Sequence, residues 1–295
     1  MKANPLEALQ ESTLTGDGGM GTQLIEMGMS AGECGMLWNA ARPHDIAAIH
    51  RAYRAAGSRL LTSNSFGGTR SMLERHGEGG RVAELNRAAA RIASEAAGGE
   101  AWVLGDVGPF GDFLEPLGDT EPDELRDIFS EQMRALADGG ADIILLETMS
   151  DPGEVEVGIE AARTVCELPV MVSYAFQRAA DGSFRTMMGN TVEDCLNRAL
   201  AGGAQIVGAN CGTDLGLDDY RELAEALVAA SAGRPVALQP NAGAPRNTPD
   251  GAVYDATPAE MAALAGDLRD AGVRLVGGCC GTTPAHLAAI AATLS

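Results

Sequence analysis

Eight runs rich in apolar and β-branched residues recur along the 295-residue chain, each followed by a segment of helical spacing. They read "TLTGDGG" (13–19), "SRLLTSNSF" (58–66), "WVLGDVGP" (102–109) and "ADIILLETM" (141–149), then "PVMVSYAF" (169–176), "AQIVGANC" (204–211), "RPVALQPNAG" (234–243) and "VRLVGGCCG" (273–281). Near-continuous apolar runs suit strands buried on both faces of a parallel sheet. The first run is the least regular, because Leu14 is its only strongly apolar residue.

Between the runs, apolar residues repeat at helical intervals. Ile46, Ile49, Tyr53 and Ala56 share one face, as do Val82, Leu85, Ala89 and Ile92, and Leu125, Ile128, Gln132, Met133 and Leu136. Thr257, Pro258 and Glu260 form a capping box with proline in the first turn, and Thr283-Pro284 repeats the cap-plus-proline signal. Glycines at 57, 139, 202, 233 and 272 are expected to end helices before the next strand. Eight βα units imply a (β/α)8 TIM barrel of the α/β class, with an open doubly wound sheet as runner-up. No linker-like stretch divides the chain, so residues 1–295 are expected to form one domain.

Composition narrows the function. The chain is 45% hydrophobic but only 4% aromatic, so Ala, Leu, Val and Ile must fill most of the core. A formal net charge of -20 opposes binding to nucleic acid or an anionic membrane. No apolar run reaches the ~18 residues of a membrane helix. The start "MKANPLEALQ" has no apolar signal region, so a cytoplasmic protein is expected.

Six cysteines in such a chain do not suggest a disulfide framework. Cys166 and Cys195 fall on apolar positions of expected helices and read as buried thiols, while Cys34 sits in a glycine-containing loop without an evident role. Cys211, Cys279 and Cys280 each end a strand-like run. The active site of a barrel lies at the C-terminal ends of its strands. Those ends carry Asp17, Asn64 to Phe66, Asp106, Glu147, Tyr174, Cys211, Asn241 and the cysteine pair. Strand 7 lies between strands 6 and 8, so the three thiols converge on one rim with Asn241 between them. Three soft ligands favour zinc, and three rather than four leave a position open for chemistry. Buried thiols without metal, or a vicinal redox pair, are the plainer alternatives; the redox pair does not account for Cys211.

These motifs carry a family resemblance. "GANCG" (208–212), "GGCCGTTP" (277–284), "DGGMGT" (17–22) and "PNAG" (240–243) resemble the homocysteine S-methyltransferases, from about residue 12 onward. That family includes betaine-dependent and S-methylmethionine-dependent enzymes and the homocysteine-binding module of cobalamin-dependent methionine synthase. The resemblance implies a (β/α)8 barrel, zinc held by Cys211, Cys279 and Cys280, and methyl transfer to homocysteine, giving methionine. It also implies an ammonium clamp at Asp17 and Glu147, with the Gly18 backbone adding a contact. No catalytic group beyond the zinc site is expected. Before homocysteine binds, Asn241 or a water is expected at the open zinc position.

For the donor, "LWN" (37–39) and "NSFGG" (64–68) resemble bacterial betaine-type members, so Trp38 and Phe66 are expected to grip a small onium donor, glycine betaine first. Each could instead be ordinary packing. The animal betaine enzymes carry tyrosine where this chain has Gly67 and Thr148, so their donor pocket does not transfer directly. The length leaves no room for folate and cobalamin domains, so a small donor or a separate corrinoid protein is expected to supply the methyl group. A non-catalytic homocysteine sensor is the alternative of a different class.

Overall fold

All eight runs form strands of one parallel sheet in the computed structural model, which describes residues 4–30, 32–248 and 251–295. They are β1 (Leu14–Thr15), β2 (Leu60–Thr62), β3 (Trp102–Val107), β4 (Ile143–Met149), β5 (Val170–Tyr174), β6 (Ile206–Cys211), β7 (Val236–Pro240) and β8 (Leu275–Val276). The spatial order is β1-β8-β7-β6-β5-β4-β3-β2, the cyclic chain order of a (β/α)8 barrel rather than the reversed order of a doubly wound sheet. At the remaining seam, Arg59 N–H donates to Thr15 O at 2.7 Å. Just above it, the Thr62 N–H and hydroxyl donate to the two Asp17 carboxylate oxygens, each at 2.7 Å. The barrel closes there.

Alternation along the strands separates two cores. Leu14, Leu60, Trp102, Leu104, Ile143, Leu145, Met171, Ile206, Ala237 and Leu275 cluster inside the barrel. Their strand neighbours, such as Leu61, Val103, Ile144, Val172 and Val207, face outward and join the helices in a larger core. A helix not anticipated from the sequence, Pro5–Glu11, brings Leu9 into the inner cluster and covers the barrel floor. One step higher on the inner faces, the side chains turn polar: Thr62, Asp106, Ser173 and Gln239 are all buried.

Most helix signals hold. Thr257 and Glu260 make the reciprocal capping bonds, and Thr283 N–H donates to His286 Nδ1 at 3.1 Å, a histidine standing in for the usual acidic partner. Two glycine assignments shift by one: helices run through Gly139 and Gly202, and it is Gly140 and Gly203 that take the left-handed cap. Cys195 is fully buried as expected. Cys166 is only half-buried, because it caps a helix rather than lying within it. Cys34 packs beside Leu73, Val82 and Leu85, which accounts for it as a core thiol. Two short hairpins, pairing 177–178 with 184–185 and 246–248 with 251–253, decorate the C-terminal side and have no counterpart in the sequence reading. Among the described residues no helix is long and apolar enough to cross a membrane.

The seam makes a direct prediction. Thr62→Val keeps the shape but removes a hydroxyl donor from buried Asp17, and should lower stability by about 1–3 kcal/mol. Denaturant unfolding measures this; a change below about 0.5 kcal/mol would show that the backbone bond alone closes the barrel.

Candidate active site

The three thiols converge. The sulfurs of Cys211, Cys279 and Cys280 lie within 4.8 Å of one another, the one such ligand cluster among the described residues. Cys279 and Cys280 have their sulfurs 3.9 Å apart, far beyond a disulfide. Tetrahedral zinc with bonds of ~2.3 Å would set sulfurs ~3.8 Å apart, so the donor set fits that ion with little movement.

The backbone explains the convergence. β8 ends at Val276, the chain leaves the strand through Gly277 and Gly278, and it turns at Cys280 and Gly281. Gly278 N–H donates to Asp17 O, Cys279 N–H to Pro240 O and Cys280 N–H to Asn241 Oδ1, so the pair is held from both neighbouring strands. Thr282 closes the turn by donating its hydroxyl to Cys279 O at 2.6 Å. Cys211 takes a left-handed conformation, φ 54°, at the end of β6. Such a conformation costs about 1–3 kcal/mol in a non-glycine residue, and it swings the side chain out of strand alternation toward the pair. Tyr220 donates its hydroxyl to Cys211 O and pins that turn. The thiols share S–H···S contacts: donation from Cys211 and then Cys279 holds the Cys280 thiol well below the usual cysteine range, to about 3. The contact with Cys211 pushes the Cys279 thiol well above that range.

Beneath the sulfurs lies a carboxylate layer. Asp17 is 2% exposed, and burial pushes its carboxyl up to about 7 against the opposing Thr62 hydrogen bonds. Glu147 is raised to about 8 by burial, then by the Asp17 charge and by Cys211. Asp106 is raised by burial and then by the charges of Glu147 and Asp17, so the three carboxyls sense one another. Gly18, next to Asp17 in the chain, has no room for a side chain. A Cβ there would come within 2.7–2.9 Å of Thr282, Leu287 and Tyr53. Asn210 ties this layer together: its Oδ1 accepts from Thr148 N–H and the Ser173 hydroxyl, and its Nδ2 donates to the Thr148 hydroxyl. Thr148 needs that support, since its φ of 58° is strained for a β-branched residue.

The remaining expected residues divide. Asn241 is buried between β6 and β8; its Oδ1 accepts from Cys280 N–H at 3.1 Å and its Nδ2 donates to Gly212 O at 3.5 Å. Phe66 stands on the rim at 40% exposure, with its ring against Gly108 just beyond β3. Trp38 does not form an open aromatic wall. It is 3% exposed, its indole N–H donates to Glu33 Oε1, and the Arg42 guanidinium covers its ring at 3.6 Å. An adjacent arginine has taken the face a donor cation would need.

Three contributors escaped the sequence reading. Asp106 stands at a strand end with no motif around it to mark a role, and Asn210 stands in the "GANCG" motif beside Cys211. Tyr254 directly follows the unforeseen hairpin of 246–248 and 251–253; its ring lies over Gly281, and it helps hold the Cys280 thiol low. Beside Cys211 opens a cleft of about 390 Å³, lined by Phe110, Phe113, Phe176, Met187 and Met188 with Thr148, Asp151 and Glu154.

The sequence model of the homocysteine S-methyltransferases matches residues 14–294. Methionine synthases of Mycobacterium tuberculosis and Mycobacterium leprae are each 33% identical over 98% of this chain. The chain spans about a quarter of the length of these relatives (25%). Among solved structures, the homocysteine methyltransferase MmuM from Escherichia coli shares the fold with a TM-score of 0.78, at 24% identity for its oxidized form and 22% for its metallated form. Those matches cover 98% of this chain and 99% of MmuM.

Glu154, in the cleft, gives a pH test away from the thiols. Burial pushes its carboxyl up to about 7, only partly offset by the Phe110 N–H it accepts. The folded chain therefore holds this proton more tightly than the unfolded chain. The resulting stability is full below the unfolded value of about 4.3 and is lost as pH rises through the folded value. Glu154→Gln should be near neutral at pH 4 and stabilising by about 1–3 kcal/mol at pH 8. Equal unfolding midpoints for variant and parent at both pH values would refute this.

Proposed function

Because the chain belongs to the homocysteine S-methyltransferase family, we propose that it methylates the sulfur of homocysteine to give methionine, on zinc held by Cys211, Cys279 and Cys280. The observation that carries this is the convergence of three sulfurs on one rim, directly above a buried carboxylate layer. A thiol placed at the sulfurs would have its own ammonium near those acids. In this reading residues 1–295 form one homocysteine-binding module.

Zinc bound there supplies charge that favours the substrate's thiolate, the nucleophilic form, at neutral pH. Glu147 and Asp17 hold the ammonium, and the Gly18 backbone adds a contact to the amino acid. Tyr254, whose ring lies over Gly281, covers the turn that carries Cys280. Asn241 Oδ1, which already accepts from Cys280 N–H, or a water, would hold the remaining ligand position in the substrate-free protein.

The donor is a small methylated onium compound, glycine betaine first. The cleft beside Cys211 supports this: its volume suits a small molecule, it presents three phenylalanine rings, and Asp151 stands on its wall. Phe66 remains a candidate wall, whereas Trp38 acts as an anchor for the loop it stands on. A second reading is favoured by a different observation. The mycobacterial relatives are methionine synthases, and the rim exposes Phe66 (40%), Phe113 (47%), Leu117 (70%) and Met187 (70%). Such a rim could receive the methylated corrinoid of another protein module.

Two experiments test these assignments. X-ray absorption of the substrate-free zinc protein should show three sulfurs and one light atom, changing to four sulfurs with homocysteine. Cys211→Ser should lose the metal, whereas Glu147→Gln should keep it and need about ten- to a hundredfold more homocysteine. Full zinc occupancy in Cys211→Ser would remove that residue from the site. Second, purified protein with zinc and homocysteine is offered glycine betaine, S-methylmethionine, dimethylsulfoniopropionate or a methylated corrinoid. Methionine is expected from betaine. Product from the corrinoid alone would replace the onium reading, and tight homocysteine binding without turnover would identify a sensor.

A further inference from the structure

We propose that Asp106 is a third substrate-binding carboxylate, pairing directly with the ammonium of the bound amino acid beside Glu147 and Asp17, the last of which also ties the barrel seam. This rests on the homocysteine reading above and deepens it.

The placement comes from register. Asp106 on β3 pairs with Leu145 on β4, so their side chains share a face of the sheet. Leu104 and Leu145 both belong to the apolar cluster inside the barrel. Asp106 therefore points inward one layer above Leu104, beside Glu147, which lies one layer above Leu145. Its backbone is fixed on both sides. The N–H donates to Ser63 Oγ at 3.1 Å, and the carbonyl accepts from Ser65 Oγ at 2.7 Å and Gln132 Nε2 at 3.3 Å.

The side chain is not fixed in the same way. Asp106 is 2% exposed and its Oδ1 has no hydrogen-bond partner, whereas both Asp17 oxygens already accept from Thr62. A buried carboxylate oxygen without a donor is among the more costly arrangements a fold can keep. Gln239, inward on β7 one step above Ala237, presents a second buried and unpartnered acceptor, Oε1. Two orphan acceptors facing one mouth call for a ligand rich in N–H donors. The other side chains of the layer, Thr62, Ser173 and Asn210, bring no positive charge.

A metal ion is the competing ligand, and spacing argues against it. Among the described residues only the cysteines bring three ligand atoms within 4.8 Å. The three carboxylates do not all come within that distance of one another, so they do not form the close oxygen cage that a hard cation with bonds of ~2.0–2.6 Å takes. An ammonium does not need all three at once: two carboxylates such as Asp106 and Glu147, each at a hydrogen-bond distance of ~2.8 Å, are enough to hold it. Burial and the charges of Glu147 and Asp17 also raise the Asp106 carboxyl in the empty site, and an arriving cation relieves that repulsion.

The test separates reading the ammonium from holding the fold. Zinc-loaded wild-type, Asp106→Asn and, as a second variant in case the first folds poorly, Asp106→Ser are titrated calorimetrically with homocysteine and with 4-mercaptobutanoate, which lacks the amine. Expected is a ten- to hundredfold loss of homocysteine affinity in the variants, with 4-mercaptobutanoate affinity and zinc content unchanged. Equal loss for both ligands, or no loss for either, overturns the assignment. Wild-type protein that binds 4-mercaptobutanoate but not homocysteine would instead sink the homocysteine reading itself.

Discussion

Closure between β1 and β2 is the constraint on which the rest of the structure depends. Seven of the eight strand contacts are ladders, but this one consists of Arg59 N–H on Thr15 O and the Thr62 pair on Asp17. β1 and β8 are each only two residues long, so the seam lies where the sheet has least backbone to offer. A side-chain carboxylate completes it. The same closure brings β8 beside β7 and β1, and so lays the cysteine pair over Asp17, whose carbonyl accepts from Gly278 N–H. Fold and site therefore share a residue.

Above the seam, the site is built by departures from regular strand. Cys211 and Thr148 adopt left-handed conformations, and β4 has a register irregularity between Leu146 and Met149. Neither residue is free to relax: Tyr220 holds the Cys211 carbonyl, and Asn210 holds Thr148 through its N–H and its hydroxyl. Strain of this kind persists only where surrounding bonds over-determine it. Its effect is to collect sulfurs from two non-adjacent strands at one point, which regular alternation would scatter.

The vertical order inside the barrel is equally physical. An apolar plug fills the lower interior, so polar side chains one layer higher cannot sink away from the mouth. Carboxyls there lose water without gaining a cation from the protein, which is why burial raises Asp17, Asp106 and Glu147 together. A site held in that state selects for positive charge, and the sulfurs above it select for a soft ion and a thiol.

The barrel itself was legible in the sequence, because eight apolar runs with helical segments between them leave few ways to bury both faces. So was the cysteine set, since three thiols at strand ends are rare enough to stand out by type and position. Local pattern misplaced the helix ends at Gly139 and Gly202, where either glycine of a pair could take the left-handed cap. It also could not foresee the 246–253 hairpin and therefore missed Tyr254. Trp38 shows the same limit: its sequence neighbours carry an aromatic, but only packing put Arg42 across its face. Which of the inward carboxylates is already satisfied was decided by tertiary structure alone. Asp17 and Asp106 look alike as strand-end acids; the partner that distinguishes them, Thr62, is 45 residues from Asp17 in the chain and beside it only once the barrel closes.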